Sequence, residues 1–438
     1  MGESEQNKEQ NSITFEYEGQ KLSGTIIQEK DGYATIKLNT GYNIIVPESE
    51  LKEKSVKEEQ RSDDTKNILR QDPNLPKVTI LHTGGTIASK VDYSTGAVIA
   101  RFDPEEIVAM FPELSSVANI NSRLLRNMWS DDMRFAHYNI MARAVIEEIS
   151  TANPPTGVII THGTDTLHYT AAALSFALEG LNIPVVLVGS QRSSDRGSSD
   201  ASSNLMGALR FITTLKAPGV FIAMHEKSDD QSIAIYSGLH CRKNHSSRRD
   251  AFVPVNASIV ARVVDGKVDC VDQHRLDILC ALAEQKPRVQ PYNEALKIGI
   301  WKAHPQSYSD ELLVYDHYDG LVVEGTGLGH LPINEIDEFT VEHTRIHDRI
   351  LHLAKKIPVV ITTQTIFGRV NMNVNSPGRE LLCFGVLGQG HDLPCESAFV
   401  KLAWVLSNYS KEQVVAKYNE NLRGEINDRS PLEDAHKE

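Results

Sequence analysis

Uninterrupted apolar runs that end in glycine, threonine, serine or histidine recur along this chain, and they constrain its fold more than any other feature. Four of them lie in the first 230 residues, at 78–82, 157–161, 184–188 and 219–224. Continuous runs of this kind are typical of strands that are buried on both faces of a parallel sheet. Helical patterns fall between the runs, for example at 133–149 and 166–179. The sequence therefore predicts an α/β domain with right-handed crossovers.

The same pattern returns after a boundary that we place at Gln290-Pro291. Three further apolar runs lie at 298–301, 320–325 and 359–363. A helix is predicted at 397–407, with Leu402, Trp404 and Val405 facing the core. We therefore expect a second α/β domain in the C-terminal part of the chain.

The first 76 residues follow a different pattern. Short segments of alternating apolar and polar residues are separated by turns such as Glu18-Gly19 and Asp31-Gly32, which predicts a small all-β barrel of four or five strands. The predicted fold class is thus an α/β body, built on parallel sheets, that follows a small β-barrel. The predicted segments are a disordered 1–12, the barrel at 13–51, a charged linker at 52–76, α/β domains at 77–290 and 291–422, and a loose charged tail at 423–438.

Composition excludes several classes of function. The chain of 438 residues has a formal charge of -13, and a net negative protein is repelled by the phosphate backbone, so general nucleic-acid binding is disfavoured. The 5 cysteines show no CxxC spacing, which argues against a zinc site and favours a reducing compartment. The polar N-terminus lacks a signal-peptide pattern, and no apolar run is as long as a membrane span. We therefore expect a cytoplasmic protein.

Two motifs at the ends of buried runs carry the chemistry, Thr83-Gly84-Gly85-Thr86 and His162-Gly163-Thr164-Asp165-Thr166. Ligands of open parallel sheets lie outside the carboxyl ends of the strands, so the hydroxyls of Thr86 and Thr164 are expected to converge on one crevice. Gly85 and Gly163 would let backbone amides approach a substrate. Taken alone, the first motif could bind phosphate and Asp165 could cap a helix. A nucleotide site is disfavoured because neither GxGxxG nor a P-loop lysine follows the first motif.

Together the two motifs resemble the asparaginase/glutaminase family of two-domain threonine amidohydrolases, and the resemblance covers roughly residues 77–420. It implies that Thr86 is the nucleophile and that Thr164, Lys243 and Asp165 form a second catalytic set. It also implies that no metal or organic cofactor is needed in this chain.

The resemblance further implies four substrate-binding elements. Ser130 and Asp131 match the segment that holds the substrate's carboxylate, Tyr93 matches the tyrosine of a mobile lid, and Gly85 and Gly163 supply backbone amides. Simpler interpretations remain open for some of them. Tyr93 could be a turn residue, and Asp131 could cap the following helix.

Two further interpretations concern charged residues and histidines. Lys243 could belong to a solvated basic loop together with Arg242, Arg248 and Arg249. The histidines that precede the glycines, His82 and His162, are expected to be packed residues and not bases.

Along its whole length, small N-terminal barrel included, the chain resembles the family of D subunits of archaeal glutamyl-tRNA(Gln) amidotransferases. That resemblance implies hydrolysis of glutamine or asparagine to supply ammonia. It also implies a partner, the amidotransferase E subunit, that binds the tRNA and activates its glutamyl group with ATP and Mg²⁺. A homodimer core within a heterotetramer is implied too, with the stretch Glu324-Gly325-Thr326-Gly327 expected near the contact between subunits. The alternatives are a free-standing L-asparaginase with an accessory domain and a non-catalytic tRNA-binding scaffold.

Overall fold

The computed structural model describes residues 12–17, 20–30, 32–38, 43–47, 49, 72–85, 87, 89–91, 98–100, 110–194 and 198–429. In chain order the strands among them are β1 (Ser12–Tyr17), β2 (Gln20–Lys30), β3 (Tyr33–Leu38), β4 (Asn43–Pro47), β5 (Lys77–Gly84), β6 (Ser89–Val91), β7 (Val98–Ala100), β8 (Asn119–Met128), β9 (Gly157–Thr161), β10 (Leu178–Glu179), β11 (Pro184–Val188), β12 (Gly219–His225), β13 (Ser232–Ser237), β14 (Cys241–Lys243), β15 (Phe252–Pro254), β16 (Ala261–Val264), β17 (Lys267–Cys270), β18 (Arg288–Val289), β19 (Ile298–Lys302), β20 (Gly320–Gly325) and β21 (Val359–Thr363). The α-helices among them are α1 (Phe135–Ile149), α2 (Leu167–Ala177), α3 (Ala201–Leu215), α4 (Gln273–Leu282), α5 (Val341–Lys356), α6 (Ser376–Cys383), α7 (Cys395–Asn408) and α8 (Lys411–Asn419).

The N-terminal strands pair in chain order, β1-β2-β3-β4, and every pairing is antiparallel. Their alternating side chains place four residues in one small core, Phe15, Ala34, Ile36 and Val46. The predicted all-β segment is therefore a meander sheet in the residues that are described. Its closure into a barrel stays a prediction.

The largest sheet has the strand order β17-β16-β13-β12-β11-β9-β5-β8. The five strands from β12 to β8 run parallel, which confirms the predicted α/β architecture. Three further strands, β13, β16 and β17, continue the sheet in antiparallel orientation. None of the four apolar runs in the first 230 residues predicts this extension.

Helices cover both faces of the parallel strands. In β9, Val158 and Ile160 join a core with α1 and α2, whereas Ile159 joins a core with α3 on the opposite face. All three side chains are fully buried. Because successive side chains of a strand point to opposite faces, a strand covered on both faces needs apolar residues at every position.

The C-terminal domain is a three-stranded parallel sheet in the order β19-β20-β21. Helix α7 packs against it, and Leu402, Trp404 and Val405 are fully buried as predicted. The ring of Trp404 lies 5.7 Å from that of Phe176 in α2, so α7 also joins the two domains. None of the helices in the described ranges is long and apolar enough to cross a membrane.

Two predicted segment properties need correction. The tail was expected to be loose from Arg423 onwards, but Glu425 is fully buried and pairs with Lys401 of α7 at 2.6 Å. The linker was expected to reach residue 76, yet Asp72 accepts a hydrogen bond from Asn119 Nδ2 at 2.6 Å through its carbonyl oxygen. Both segments were predicted from their charge, and specific buried or backbone partners hold them in place.

Two predicted helix bounds also differ. Helix α1 begins at Phe135 and not at 133, because Ser130–Asp132 forms a separate 3-10 turn and Arg134 is extended. Helix α2 ends at Ala177, and the next two residues, Leu178 and Glu179, pair with β18 instead.

Candidate active site

The carboxyl ends of β5, β8 and β9 meet closely at one edge of the large sheet. A side chain on Gly85 would place its Cβ 2.3 Å from the backbone nitrogen of Gly163, and one on Gly163 would lie 2.9 Å from Ser130 Oγ. Gly85 also has a φ of +82°, a conformation that side chains disfavour. Glycine at both positions thus allows the segments after these strands to touch. The structure brings Gly85, Gly163 and Ser130 together at this edge.

A threonine hydroxyl, a lysine amine and a carboxylate form a chain of contacts in this crevice. Lys243 Nζ donates to Thr164 Oγ1 at 2.8 Å and to Asp165 Oδ1 at 2.6 Å. Thr164 is 5% exposed, and the side chain of Lys243 is 8% exposed while that of Asp165 is 60% exposed. The hydroxyl and the amine are therefore largely shielded from water, and the carboxylate faces the open crevice.

A hairpin of β14 and β15 holds Lys243 in this position. Lys243 is the register partner of Phe252, which is buried, and Asn244 N donates to Ala251 O at 2.6 Å. The interpretation of this segment as a solvated basic loop does not fit Lys243, whose side chain points into the crevice. Arg248 and Arg249 have other partners. Arg248 pairs with Asp250 at 2.7 Å, and Arg249 pairs with Asp230.

Ser130 and Asp131 lie in the turn after β8 and differ in exposure. Ser130 is 3% exposed, and its carbonyl oxygen accepts from Thr166 Oγ1 at 2.7 Å. Asp131 is exposed, and the residue at the N-cap of α1 is Arg134. The alternative that Asp131 caps this helix is therefore wrong. The substrate-binding roles of both residues stay predictions.

The histidines that precede the glycines are buried within hydrogen-bond networks. His82 contacts Thr161 Oγ1 at 2.9 Å and Ser122 Oγ at 2.7 Å, and burial lowers its pKa to about 4. His162 contacts Gly163 O at 2.7 Å, and burial lowers its pKa to about 4 as well. Both imidazoles are consequently neutral at neutral pH, and they support the strand ends as packed residues.

Thr86 and Tyr93 lie outside the described residues, so the nucleophile and lid roles stay predictions. The residues on either side of Thr86 are described. Gly85 touches Gly163, as above, and Ile87 is fully buried. Ser194 Oγ donates to Ile87 O at 2.7 Å, which ties the segment after Thr86 to the loop that follows β11.

That loop was missed by the sequence analysis. Asp200 is fully buried and accepts hydrogen bonds from the backbone nitrogens of Gln191 and Arg192, both at 3.0 Å. The loop begins at Gly189, where a Cβ would lie 2.7 Å from Thr164 Cγ2. The signal was present, because Gly189-Ser190 follows a buried apolar run as the two threonine motifs do.

The arrangement can support nucleophilic chemistry at a carbonyl. A hydroxyl becomes an effective nucleophile when a neighbouring base takes its proton, and a carboxylate can orient that base. In the part of the chain that the structure describes, no group of three or more His, Cys, Asp or Glu side chains could hold a metal ion.

Comparison with known proteins finds matches to both α/β domains. The asparaginase N-terminal family model matches residues 77–275, and the glutaminase/asparaginase C-terminal domain model matches residues 297–418. Among solved structures, the thermostable L-asparaginase from Thermococcus kodakarensis has a TM-score of 0.69 at 29% identity and covers 80% of this chain and 99% of its own. L-asparaginase I from Vibrio cholerae has a TM-score of 0.68 at 26% identity, with 81% and 99% covered.

Curated relatives match nearly the entire chain. The glutamyl-tRNA(Gln) amidotransferase D subunit from Methanobrevibacter smithii is 38% identical over 433 residues, which is 96% of this chain and 93% of the relative. The corresponding D subunits of Methanococcus maripaludis and Pyrococcus furiosus are 37% and 39% identical and cover 96% and 94% of this chain, and 98% and 91% of their own lengths. The chain therefore belongs to the family of glutamyl-tRNA(Gln) amidotransferase D subunits, whose body has the asparaginase fold.

Proposed function

We propose that this chain hydrolyses the side-chain carboxamide of glutamine, or of asparagine, and releases ammonia for the conversion of glutamyl-tRNA(Gln) to glutaminyl-tRNA(Gln). One observation carries the proposal. Lys243 Nζ lies 2.8 Å from the buried hydroxyl of Thr164 and 2.6 Å from the carboxylate of Asp165.

In the first step, Thr86 is the nucleophile. Its hydroxyl attacks the carboxamide carbon, a tetrahedral intermediate forms, and ammonia leaves as an acyl ester of Thr86 is made. Backbone amides at Gly85 and Gly163 are candidates to stabilise the developing oxyanion. Water then cleaves the ester and yields the free acid.

The second catalytic set moves protons for this reaction. In its neutral form Lys243 can accept a proton across the 2.8 Å contact with Thr164 Oγ1, and Asp165 orients the amine. Burial of Thr164 and Lys243 keeps water from competing for these contacts. Thr164 thus activates the water or relays the proton that the leaving ammonia needs.

The exposed carboxylate of Asp165 suits the α-ammonium group of the substrate, because charge-assisted hydrogen bonds are the strongest available at a partly open site. Ser130 and Asp131, in the turn after β8, are proposed to hold the substrate's α-carboxyl end, with Ser130 as the donor. Tyr93 is proposed to close over the site.

The ammonia acceptor is proposed to lie on a partner, the amidotransferase E subunit, which binds the tRNA and activates its glutamyl group with ATP and Mg²⁺. This chain needs no cofactor in that scheme. The acidic charge of -13 favours a division of labour in which the partner makes most RNA contacts. A homodimer core within a heterotetramer, and a cytoplasmic location, complete the proposal. The described cysteines are free thiols, as expected in a reducing compartment.

A second candidate function, a free-standing L-asparaginase, is favoured by the similarity to solved asparaginases. Those structures cover 80–81% of this chain, whereas the amidotransferase relatives cover up to 96%. The part beyond the asparaginase fold has no use in a free-standing hydrolase, and this observation favours the amidotransferase role. Pull-down from native lysate discriminates the two, because only the amidotransferase requires a stoichiometric partner.

The central test measures ammonia release from glutamine, with and without partner and glutamyl-tRNA. We expect Thr164→Val to lower the rate about 100-fold or more, in the range lost when an acid–base relay is broken. Thr213→Val is the matched control, since Thr213 Oγ1 bonds to Leu209 O within α3, outside the crevice. Equal rates for the wild type and Thr164→Val would contradict the proposal.

Coupling to the tRNA reaction has its own test. In the complex with its partner, Thr86→Ala should abolish glutamine-dependent amide formation and leave ammonium-dependent formation intact. Undiminished glutamine-dependent formation in Thr86→Ala would place Thr86 outside the hydrolysis step.

A further inference from the structure

A carboxylate of the C-terminal domain reaches into the N-terminal domain beside the catalytic set. Glu396, in the first turn of α7, is 5% exposed. Its Oε1 atom lies 3.3 Å from Arg242 Nη1 and 3.7 Å from His168 Nε2. These three residues, Glu396, Arg242 and His168, are called the interdomain triad below.

Each N-terminal member of the triad neighbours a member of the catalytic set. Arg242 precedes Lys243 in β14, and His168 follows Asp165 by three residues at the start of α2. Because consecutive side chains of a strand point to opposite sides, Arg242 can hold Glu396 while Lys243 points to Thr164.

A contact between two aromatic rings links α2 to the β14–β15 hairpin. The imidazole of His168 lies 6.4 Å from the ring of Phe252, edge to face, and Phe252 is the register partner of Lys243. The strand that carries Lys243 and the helix that follows Thr164 and Asp165 are thus both held against the same carboxylate. A shift of α7 would change the distance between the two halves of the catalytic set.

The triad is poorly explained as a device for stability. Glu396 Oε2 and His168 Nδ1 are buried without a hydrogen-bond partner among the described residues, and buried charges with unsatisfied atoms are unfavourable. Burial raises the pKa of Glu396, but His168 and the charge of Arg242 outweigh that effect and lower it. The group is therefore a carboxylate at neutral pH, kept at the domain boundary despite its desolvation.

We propose that Glu396 is a positioning residue that, through Arg242 and His168, sets the contact of Lys243 with Thr164 and so couples the placement of the C-terminal domain to amide hydrolysis. The inference rests on the proposed function for its catalytic consequence. The positional consequence is independent of it, because the contact of Lys243 with Thr164 is a structural property.

The test compares Glu396→Gln with a matched control, Glu179→Gln, in the full-length chain. Glu179 is also a largely buried carboxylate, and it pairs with Arg423 at 3.4 Å. It lies beyond the opposite end of α2 from His168, and the helical rise from His168 to Ala177 alone spans about 14 Å. Both variants lose a buried ion pair, but only Glu396 pairs with the residue next to Lys243.

The first measurement is competitive acetylation of lysines, read by mass spectrometry with exposed Lys302 as internal standard and fully buried Lys401 as a monitor of unfolding. We expect Glu396→Gln to speed acetylation of Lys243 at least threefold, and Glu179→Gln to leave it unchanged. An unchanged Lys243 rate in Glu396→Gln, or an equal increase in Glu179→Gln, overturns the proposal.

The second measurement is glutamine hydrolysis, with the partner and glutamyl-tRNA present where they are required. We expect Glu396→Gln to lower kcat about tenfold with KM within about twofold, and Arg242→Lys to retain more activity than Arg242→Gln. Faster acetylation with undiminished kcat overturns the coupling. If the wild type itself fails to hydrolyse glutamine while acetylation of Lys243 responds, the proposed function fails and the positioning role stands.

Discussion

Two lysine–carboxylate pairs with the same separation lie in the two domains and have opposite surroundings. Lys243 and Asp165 are 2.6 Å apart in the N-terminal domain, with side chains 8% and 60% exposed. Lys401 and Glu425 are also 2.6 Å apart, and both side chains are 0% exposed. Distance alone therefore cannot distinguish the proposed catalytic pair, Lys243 and Asp165, from the structural pair, Lys401 and Glu425.

The remaining partners separate the two pairs. Lys401 also donates to Glu420 O at 2.7 Å, and Glu425 accepts from the backbone nitrogens of Leu422 and Arg423 at 3.1 and 2.6 Å. The further partners of Lys401 and Glu425 are therefore backbone groups, which cannot react. Lys243 instead has a threonine hydroxyl as its other partner, and its carboxylate is open to a ligand.

The directions in which the pKa values of Lys401 and Glu425 shift fit a structural ion pair. Burial lowers the pKa of Lys401. Burial raises the pKa of Glu425, but the charge of Lys401 outweighs it and lowers that pKa. A buried carboxylate that depends on one neighbouring cation should tolerate the loss of that cation poorly.

The largest expected effect tests the proposed catalytic pair. Lys243→Met should lower ammonia release about 1,000-fold, or about 4 kcal/mol of transition-state stabilisation, because the base for Thr164 is lost. The melting temperature should stay within about 2 °C, since Asp165 can regain water as its partner. A fall in melting temperature as large as that of Lys401→Met would erase the contrast between the pairs.

The next effect tests the structural pair. Lys401→Met should cost about 3–5 kcal/mol of stability by leaving Glu425 buried without its cation, measured by thermal and urea unfolding. Hydrolysis by the folded protein should remain within about twofold of the wild type. The double variant Lys401→Met/Glu425→Leu should recover most of the loss, because removing both charges removes the desolvation penalty. Failure of the double variant to recover would show that the tail is held by other contacts.

The sequence pointed to the proposed catalytic pair, Lys243 and Asp165, but not to the structural pair, Lys401 and Glu425. Thr164 and Asp165 follow an apolar run that could only be a doubly covered strand, so their place at a sheet edge was predictable. Lys243 lies 79 residues from Thr164 in the sequence. Only the resemblance to a known family linked them, because no local pattern specifies which hairpin returns to the crevice.

The structural pair was missed because charge was taken to mean exposure. The residues from Arg423 onward are charged, and this charge predicted a loose tail. The opposing signal was Lys401, which shares its helix face with Ala398, Trp404 and Val405. A cation at such a position needs an acidic partner, and the partner came from the tail. The antiparallel strands β13, β16 and β17 were missed for a different reason, since their register depends on tertiary pairing.

The smallest expected effect concerns His82. Unlike the two lysine pairs, its protonation state is set by burial and not by a charged partner. His82, at the carboxyl end of β5, has its pKa lowered from 6.5 to about 4 by burial. The unfolded chain takes up a proton below pH 6.5 and the folded chain does not, so stability is complete above that pH and falls towards pH 4. Between pH 7.5 and 5.5 the loss from this group is about 1 kcal/mol. His82→Asn should therefore flatten the decrease in melting temperature over that range, while the same change at exposed His274 should not. An identical slope in the wild type and His82→Asn would mean that the imidazole titrates in the folded protein as it does in the unfolded chain, and the strand end beside the crevice would then gain a charge below pH 6.5.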